Sequence, residues 1–407
     1  MRNWLGLATL AAAAALWGCG PRATDNSSVA VLHEDNFTRA GLQFYWKSQL
    51  PLNPGETLVQ SWLIDDAVYY LSSQRRLFCY DPQVGTPRWI FTIHDRGSAI
   101  FAPCHGPDIS ITRHPQGIQG VNAPILLTAE TYKPLAINTA RTVYLLDRTT
   151  GTQLRRIDAQ GIAMTTGGSM DARHFFVGLL DGSYIAFDLQ EGIRSNWKGT
   201  VQAAIKATPQ YMDRHVYVAG INGQLHCRIV DDNGRLEWGP VNLVKGVFAT
   251  PLVDRRFCLV PVEDGRLYAL HPLTGVSIWP APFTAKRGLV NSPQASTNTV
   301  YQYARGDRFY ALDPDRGSER WDNPTAMCVL GVIQNMVYAF STHNDLLALT
   351  EITGEVRHQI PLDGFTIYAP NTSQNYAAIF IASPDGQAIC IRPVSAGRIN
   401  VNMLPAR

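Results

Sequence analysis

Three residues in the first third of the chain could serve a metal: Cys104, His105 and His114, in a stretch that also holds His94, Asp95, Asp108 and Arg113. A thiolate and two imidazoles suit tetrahedral zinc. Cys104 and His105 are sequence neighbours, and adjacent ligands meet a tetrahedral ion poorly without help from elsewhere, so no metal site is expected. A plain surface loop and a partner-docking loop both remain open, with Phe101, His105, Arg113 and His114 as the contact residues in the second case. A second set of candidates is the recurring carboxylates Asp81, Asp147, Asp188 and Asp313, each four residues before a glycine. A short carboxylate at that place accepts from its own backbone two residues on, so these are turn residues rather than a catalytic pair. No Gly-x-Ser-x-Gly, His-Glu-x-x-His or phosphate-cradling loop occurs. His226 and His271 stand where other copies of the same unit carry Tyr and Asp, which reads as drift. Neither a catalytic residue nor a cofactor is expected.

The elements that hold these residues repeat. Tyr310-Ala311-Leu312-Asp313, Gly317 and Trp321 form one unit; Tyr268-Ala269-Leu270-His271, Gly275 and Trp279 form another. Further copies are Phe187-Asp188, Gly192, Trp197 and Tyr80-Asp81, Gly85, Trp89, with a degenerate one at Tyr144–Asp147 and Gly151, where Arg155 replaces Trp. Cys227, Gly234, Trp238; Leu349, Gly354, His358; and Cys390, Gly397 complete the series. From Gly151 onward the glycines are spaced by 41, 42, 41, 42, 37 and 43 residues. Eight units at such a period, each long enough for about four short strands, predict an all-β fold: an eight-bladed β-propeller of four-stranded antiparallel blades.

Within each unit a small residue and proline open the first strand: Thr208-Pro209, Thr250-Pro251, Ser292-Pro293 and Ala123-Pro124. Proline is tolerated there because it need not donate to the ladder. Asp-Gly turns at 181–182, 264–265 and 385–386 then predict tight hairpins. Cys79, Cys227 and Cys390 fall in the place of Ala269 and Ala311 and read as small buried core residues. Phe44-Tyr45-Trp46-Lys47 resembles a Trp-bearing fourth strand and is expected to pair with the last blade, closing the ring. Arg398–Leu404 is the competing closer. Trp89 and Pro124 are 35 residues apart, against 13 from Trp238 to Pro251 and 14 from Trp279 to Pro293. An insertion is therefore expected at about 94–118, between the first two blades.

With 45% hydrophobic and 17% charged residues and a net charge of +2, the chain can bury a large core and has no basic run for nucleic acid. The N-terminus is different: Arg2, an alanine-rich apolar run and Leu16-Trp17-Gly18-Cys19. The run is too short to cross a bilayer, which takes roughly 20 residues, and reads as a secretory signal. Its end resembles the bacterial lipobox, which implies lipidation of Cys19. Gly20 after the Cys implies sorting to the outer membrane of a two-membrane bacterium. The expected division is 1–19 signal, 20–41 flexible tether, 42–400 propeller and 401–407 tail. Disulfides are permitted in an exported chain, but no pairing follows from the sequence.

The Tyr-Ala-Leu-Asp-x-x-x-Gly-x-x-x-Trp unit resembles the repeat of the PQQ-type, quinoprotein-like propellers, over about residues 42 to 400. Quinoprotein dehydrogenases of that superfamily carry adjacent cysteines, a calcium site and a general-base Asp. This chain has no adjacent cysteines, so bound PQQ is not expected. A lipobox followed by a single propeller is similar to the BamB family, lipoproteins of the machinery that assembles outer-membrane β-barrels. That resemblance implies a monomeric, non-catalytic scaffold at the periplasmic face of the outer membrane, with the membrane and barrel-assembly proteins as partners. The family's docking loops are not matched by Lys198-Gly199-Thr200-Val201 or by Gly239-Pro240-Val241-Asn242, so no docking residue is carried over. The alternative is a ligand-binding or enzymatic propeller that uses its central channel without PQQ.

Overall fold

The computed structural model describes residues 32–113, 128–373 and 377–396. Within them are eight four-stranded sheets, each antiparallel, and one separate two-stranded hairpin. In chain order the sheets are blade 1 (58–92), blade 2 (104–158), blade 3 (164–200), blade 4 (210–242), blade 5 (252–284), blade 6 (294–323), blade 7 (326–361) and blade 8 (367–393 with 42–49). The first strands of blades 3, 4 and 5 contact one another in series, which places them innermost around the axis.

Alternation along the strands explains the packing. The small third-strand residue of a blade lies opposite the fourth-strand Trp: Cys79 pairs with Trp89, Cys227 with Trp238, Ala311 with Trp321 and Cys390 with Trp46. A larger side chain there would displace the indole, so Cys and Ala are interchangeable at this place, as the repeat implies. Second-strand tyrosines complete the wedge, with Tyr69, Tyr217 and Tyr301 rings about 6 Å from Trp89, Trp238 and Trp321. Each Trp then reaches the next blade. Gly85, Gly151, Gly275, Gly317 and Gly354 all have positive φ. A Cβ on any of them would lie within 3 Å of Trp46, Trp89, Trp238, Trp279 and Trp321 respectively. The turn glycine therefore serves both backbone conformation and inter-blade contact. In blade 3 the equivalent Gly192 lies against Arg155, the residue that replaces Trp in blade 2.

The turn carboxylates behave as the sequence implies. Asp81, Asp147, Asp188 and Asp313 each accept from the N–H two residues on at 2.8–3.0 Å. Three of them also hold an arginine: Arg88, Arg173 and Arg320. Burial would raise the Asp81 carboxyl, but Arg88 and the backbone donors hold it below the ordinary range. His271 plays the same part in blade 5, its Nδ1 accepting from the Leu273 N–H.

Closure follows the expected route. Leu42–Gln49 pairs with Gln387–Pro393 as the outer strand of blade 8, so the two ends of the propeller share one sheet and no open edge separates first from last blade. The alternative closer at 398–404 lies outside the described residues, as does Cys19. The tether expected through residue 41 ends earlier: Glu34–Arg39 is a short helix whose Phe37 is fully buried against Phe44, Leu362 and Ile333.

The insertion also sits elsewhere than expected. The innermost strand of blade 2 is Cys104–His105, preceded by Ala102-Pro103, and it pairs with Pro134–Asn138. Pro103 follows Trp89 by 14 residues, the same interval as Trp279 to Pro293. The additional chain therefore leaves blade 2 between its first and second strands. There Ile109–Arg113 pairs with Thr128–Tyr132 as a separate hairpin. Ala123-Pro124 lies outside the described residues.

Candidate functional site

Successive strands alternate direction, so the disc has two unlike faces. The turns joining first to second and third to fourth strands form the turn face. The second-to-third turns and the connections between blades form the loop face.

On the loop face each connection is held at both ends by buried apolar residues. Val201 and Ile205 bracket 202–204, Leu243 and Val247 bracket 244–246, and Ala285 and Leu289 bracket 286–288; all six anchors are buried. The backbone is fixed as well, because Val201, Leu243 and Ala285 donate to Gly182, Gly223 and Gly265 of the hairpin turns. A Cβ on Gly223 or Gly265 would strike the carbonyls of the adjoining connection at 2.6 Å. The tips between these anchors are thus presented rigidly. They carry Lys245, Lys286 and Arg287, with Lys206 just past the Ile205 anchor, all exposed. Leu180 and Val244 are each 61% exposed and Val290 45%. Exposed apolar side chains among charges of both signs, Asp181 and Glu263 included, on loops set by a rigid scaffold, are a protein-binding surface in chemical character.

The central channel offers a different chemistry. A cavity of about 550 Å³ at its turn-face mouth is lined by Ala102, Gly167, Gly168, Thr208, Gln210 and Thr250, with Asp65 and His105 at the rim. His105 is buried, its side chain 4% exposed. Its Nδ1 lies 2.8 Å from Asp65 Oδ2 and its Nε2 2.7 Å from Tyr69 Oη. Arg148 Nη1 also lies 2.8 Å from Nδ1, so both ring nitrogens are engaged, by Asp65 and Arg148 on one side and Tyr69 on the other. Burial depresses the imidazole below its ordinary value, and Arg148 beside it acts in the same direction. The bond from His105 holds Asp65 low in turn. Ser169 also lines the cavity. Because Nε2 is occupied by Tyr69, His105 cannot act as base toward it, and the cluster is a junction between blades 1 and 2.

The remaining expected residues are scattered. Phe101 belongs to the loop-face connection, its N–H bonded to the Asn138 carbonyl at 3.0 Å. Its distance along extended chain to His105 is about 13 Å, across the thickness of the sheet. Arg113 ends the first strand of the turn-face hairpin, and His114 lies outside the described residues. Cys104 faces the blade 2–blade 3 core among Ala136 and Met170 while His105 faces Tyr69 of blade 1, so the two point opposite ways and cannot share one ion. Burial pushes the Cys104 thiol up to about 12. Sequence reasoning missed the loop-face residues, since Leu180, Val244 and Val290 lie more than forty residues apart and only the ring brings them onto one surface.

A closed ring of eight four-stranded blades, six of them wedged by Trp, defines a PQQ-like β-propeller. PQQ is a planar tricarboxylate quinone, and the channel mouth sets one carboxylate and one imidazole against it and no free cation among the described residues, so these residues do not fit the group. The chain matches the family model described as outer membrane protein assembly factor BamB over residues 139–356 and 263–403, and it belongs to that family. The solved structure of BamB from Moraxella catarrhalis superposes with a TM-score of 0.61 at 16% identity, covering 86% of this chain and 97% of that one. The computationally designed protein Ika8 superposes equally well, at 13% identity over 84% and 98%. At these identities both likenesses show the fold alone. No curated protein matches the chain in sequence.

Proposed function

We propose that this protein is a non-catalytic scaffold of BamB-like role, anchored through Cys19 at the periplasmic face of the outer membrane and docking proteins that assemble β-barrels there. The observation that carries the reading is the loop face of blades 3 to 5: rigid tips presenting Leu180, Val244 and Val290 among Lys206, Lys245, Lys286 and Arg287. Membership of the BamB family supplies the biological setting. Phe101, on the same face, is a further contact candidate, and Arg113 on the turn-face hairpin is another. The use of the central channel for ligand chemistry finds no support, since His105 is spent on Asp65, Arg148 and Tyr69, and Asp65 on His105 and Arg148.

The test is affinity purification of the full chain after crosslinking, compared with a Val244→Glu/Lys245→Glu variant. Barrel-assembly proteins should co-purify with the wild type and be lost from the variant at unchanged melting temperature. Equal recovery from both, or none from the wild type, would refute the reading.

A further inference from the structure

One latch recurs around the ring and fails at one junction. The Trp46, Trp89, Trp238, Trp279 and Trp321 indole N–H groups each donate at 2.8–3.0 Å to the carbonyl three residues before the next blade's turn glycine. Trp197 occupies the same place between blades 3 and 4 and is 5% exposed, yet its Nε1 has no partner. The cause is the blade 4 turn. Gly234 N–H bonds Ile229, five residues back, whereas Gly85, Gly192, Gly275 and Gly317 each bond the residue four back. The additional residue puts Asn233 at positive φ and leaves the carbonyl of Asp231 unbonded to the indole. A buried donor without an acceptor is a group awaiting one. His226 Nε2 and Arg228 Nε of the same blade are also buried and unpartnered.

A groove of about 750 Å³ opens on the turn face at this junction, with Trp197 in its wall. Four carboxylates line it (Asp171, Asp188, Glu191 and Asp231) against two guanidiniums, Arg173 and Arg194, and with Arg214 held by Asp231 the balance is one negative charge. Asp171 and Asp188 are engaged by backbone N–H groups and Asp231 holds Arg214, which leaves Glu191 at the rim for a ligand. Tyr211, stacked on Phe176, provides an apolar wall. The outer strand Ile193–Thr200 is bulged here, its register slipping opposite Ala186, so its backbone is not fully committed to the sheet.

We propose that the blade 3–blade 4 groove binds an extended peptide segment bearing a lysine or arginine. A backbone carbonyl of the segment accepts the Trp197 indole N–H, the cation meets Glu191, and its aliphatic stem lies on Tyr211. The 231–233 turn gives way to admit the carbonyl. The site lies on the face opposite the loop tips and stands independently of them.

The full chain labelled with 5-fluorotryptophan, in which Trp197 is identified through Trp197→Phe, tests this by fluorine NMR. The probe is a short capped peptide of alternating Thr and Val with a central Lys. The Trp197 resonance should shift saturably with this peptide and not with its central-Glu counterpart. Glu191→Gln, at an exposed position, should weaken binding about fivefold. Trp197→Phe, which keeps an aromatic wedge and removes the donor, should lose affinity without losing melting temperature. Absence of a saturable shift, an equal response to the Glu peptide, or full affinity in either variant would overturn the proposal.

Discussion

Replacing Gly317 by Ala isolates the contact that joins the blades. Gly317 has φ +70 and a Cβ there would meet Trp279 Cδ2 at 2.4 Å. Gly306 provides the control in the same blade: its φ is +76 and no atom lies within 4 Å of an added Cβ. In both variants the left-handed conformation costs about 1–2 kcal/mol, and the less flexible unfolded chain returns about 0.4–1 kcal/mol. Gly306→Ala should therefore lose about 1 kcal/mol. At Gly317 the methyl must also displace an indole that is buried and tied to the Pro314 carbonyl at 2.8 Å. Overpacking of that kind adds about 1–3 kcal/mol, for a total of about 2–4 kcal/mol. Urea unfolding followed by circular dichroism compares the midpoints. The double variant Gly317→Ala/Trp279→Leu should then be more stable than the sum of its parts by about 1 kcal/mol or more, because the clash has been removed. Equal midpoints for the two alanine variants, or strict additivity in the double variant, would refute the idea that the Trp–Gly contact fastens the ring.

Three further outcomes are expected. Burial and the neighbouring Arg228 hold His226 at about 4 against an ordinary 6.5. Between those values the unfolded chain binds more protons than the folded one, so stability should fall as pH drops from 6.5 toward 4, by about 3 kcal/mol at most. His226→Phe should flatten that slope in unfolding titrations, and a slope left unchanged would count against it. Trp46→Ala removes the closing strand's wedge and its bond to Pro82, so it should cost about 3–5 kcal/mol and speed proteolysis near residue 50; cleavage at the wild-type rate would contradict the closure. Cys79, Cys104, Cys227, Cys328 and Cys390 have thiols pushed up to about 12 by burial, so at neutral pH they should resist maleimide until urea unfolds the chain. Rapid labelling of the native protein followed by mass spectrometry would show otherwise.

The ring was readable because its fastening is local chemistry repeated: a Trp, a glycine at positive φ and a small residue opposite the indole recur in most copies. The closing strand was readable for the same reason, since Phe44–Lys47 carries the wedge out of sequence order. The insertion was misplaced because two small-residue–proline pairs, Ala102-Pro103 and Ala123-Pro124, compete for one strand start. The interval from Trp89 picks out the first. His105 could not be placed on a surface or in a core from sequence, because its burial depends on Asp65 and Tyr69 of another blade. The loop-face patch depends on the ring for its existence, and a list of exposed residues in order does not reveal it. Trp197 left one trace: Cys227 precedes Gly234 by seven residues, whereas Ala269 precedes Gly275 by six.

Photocrosslinking in intact cells tests the docking surface most directly. A benzophenone amino acid placed at Leu180, Val244 or Val290 should trap a barrel-assembly protein, whereas the same group at Val276 on the turn face, which is equally exposed, should not. Adducts of equal yield at all four positions, or adducts from Val276 alone, would contradict a scaffold that works through its loop face.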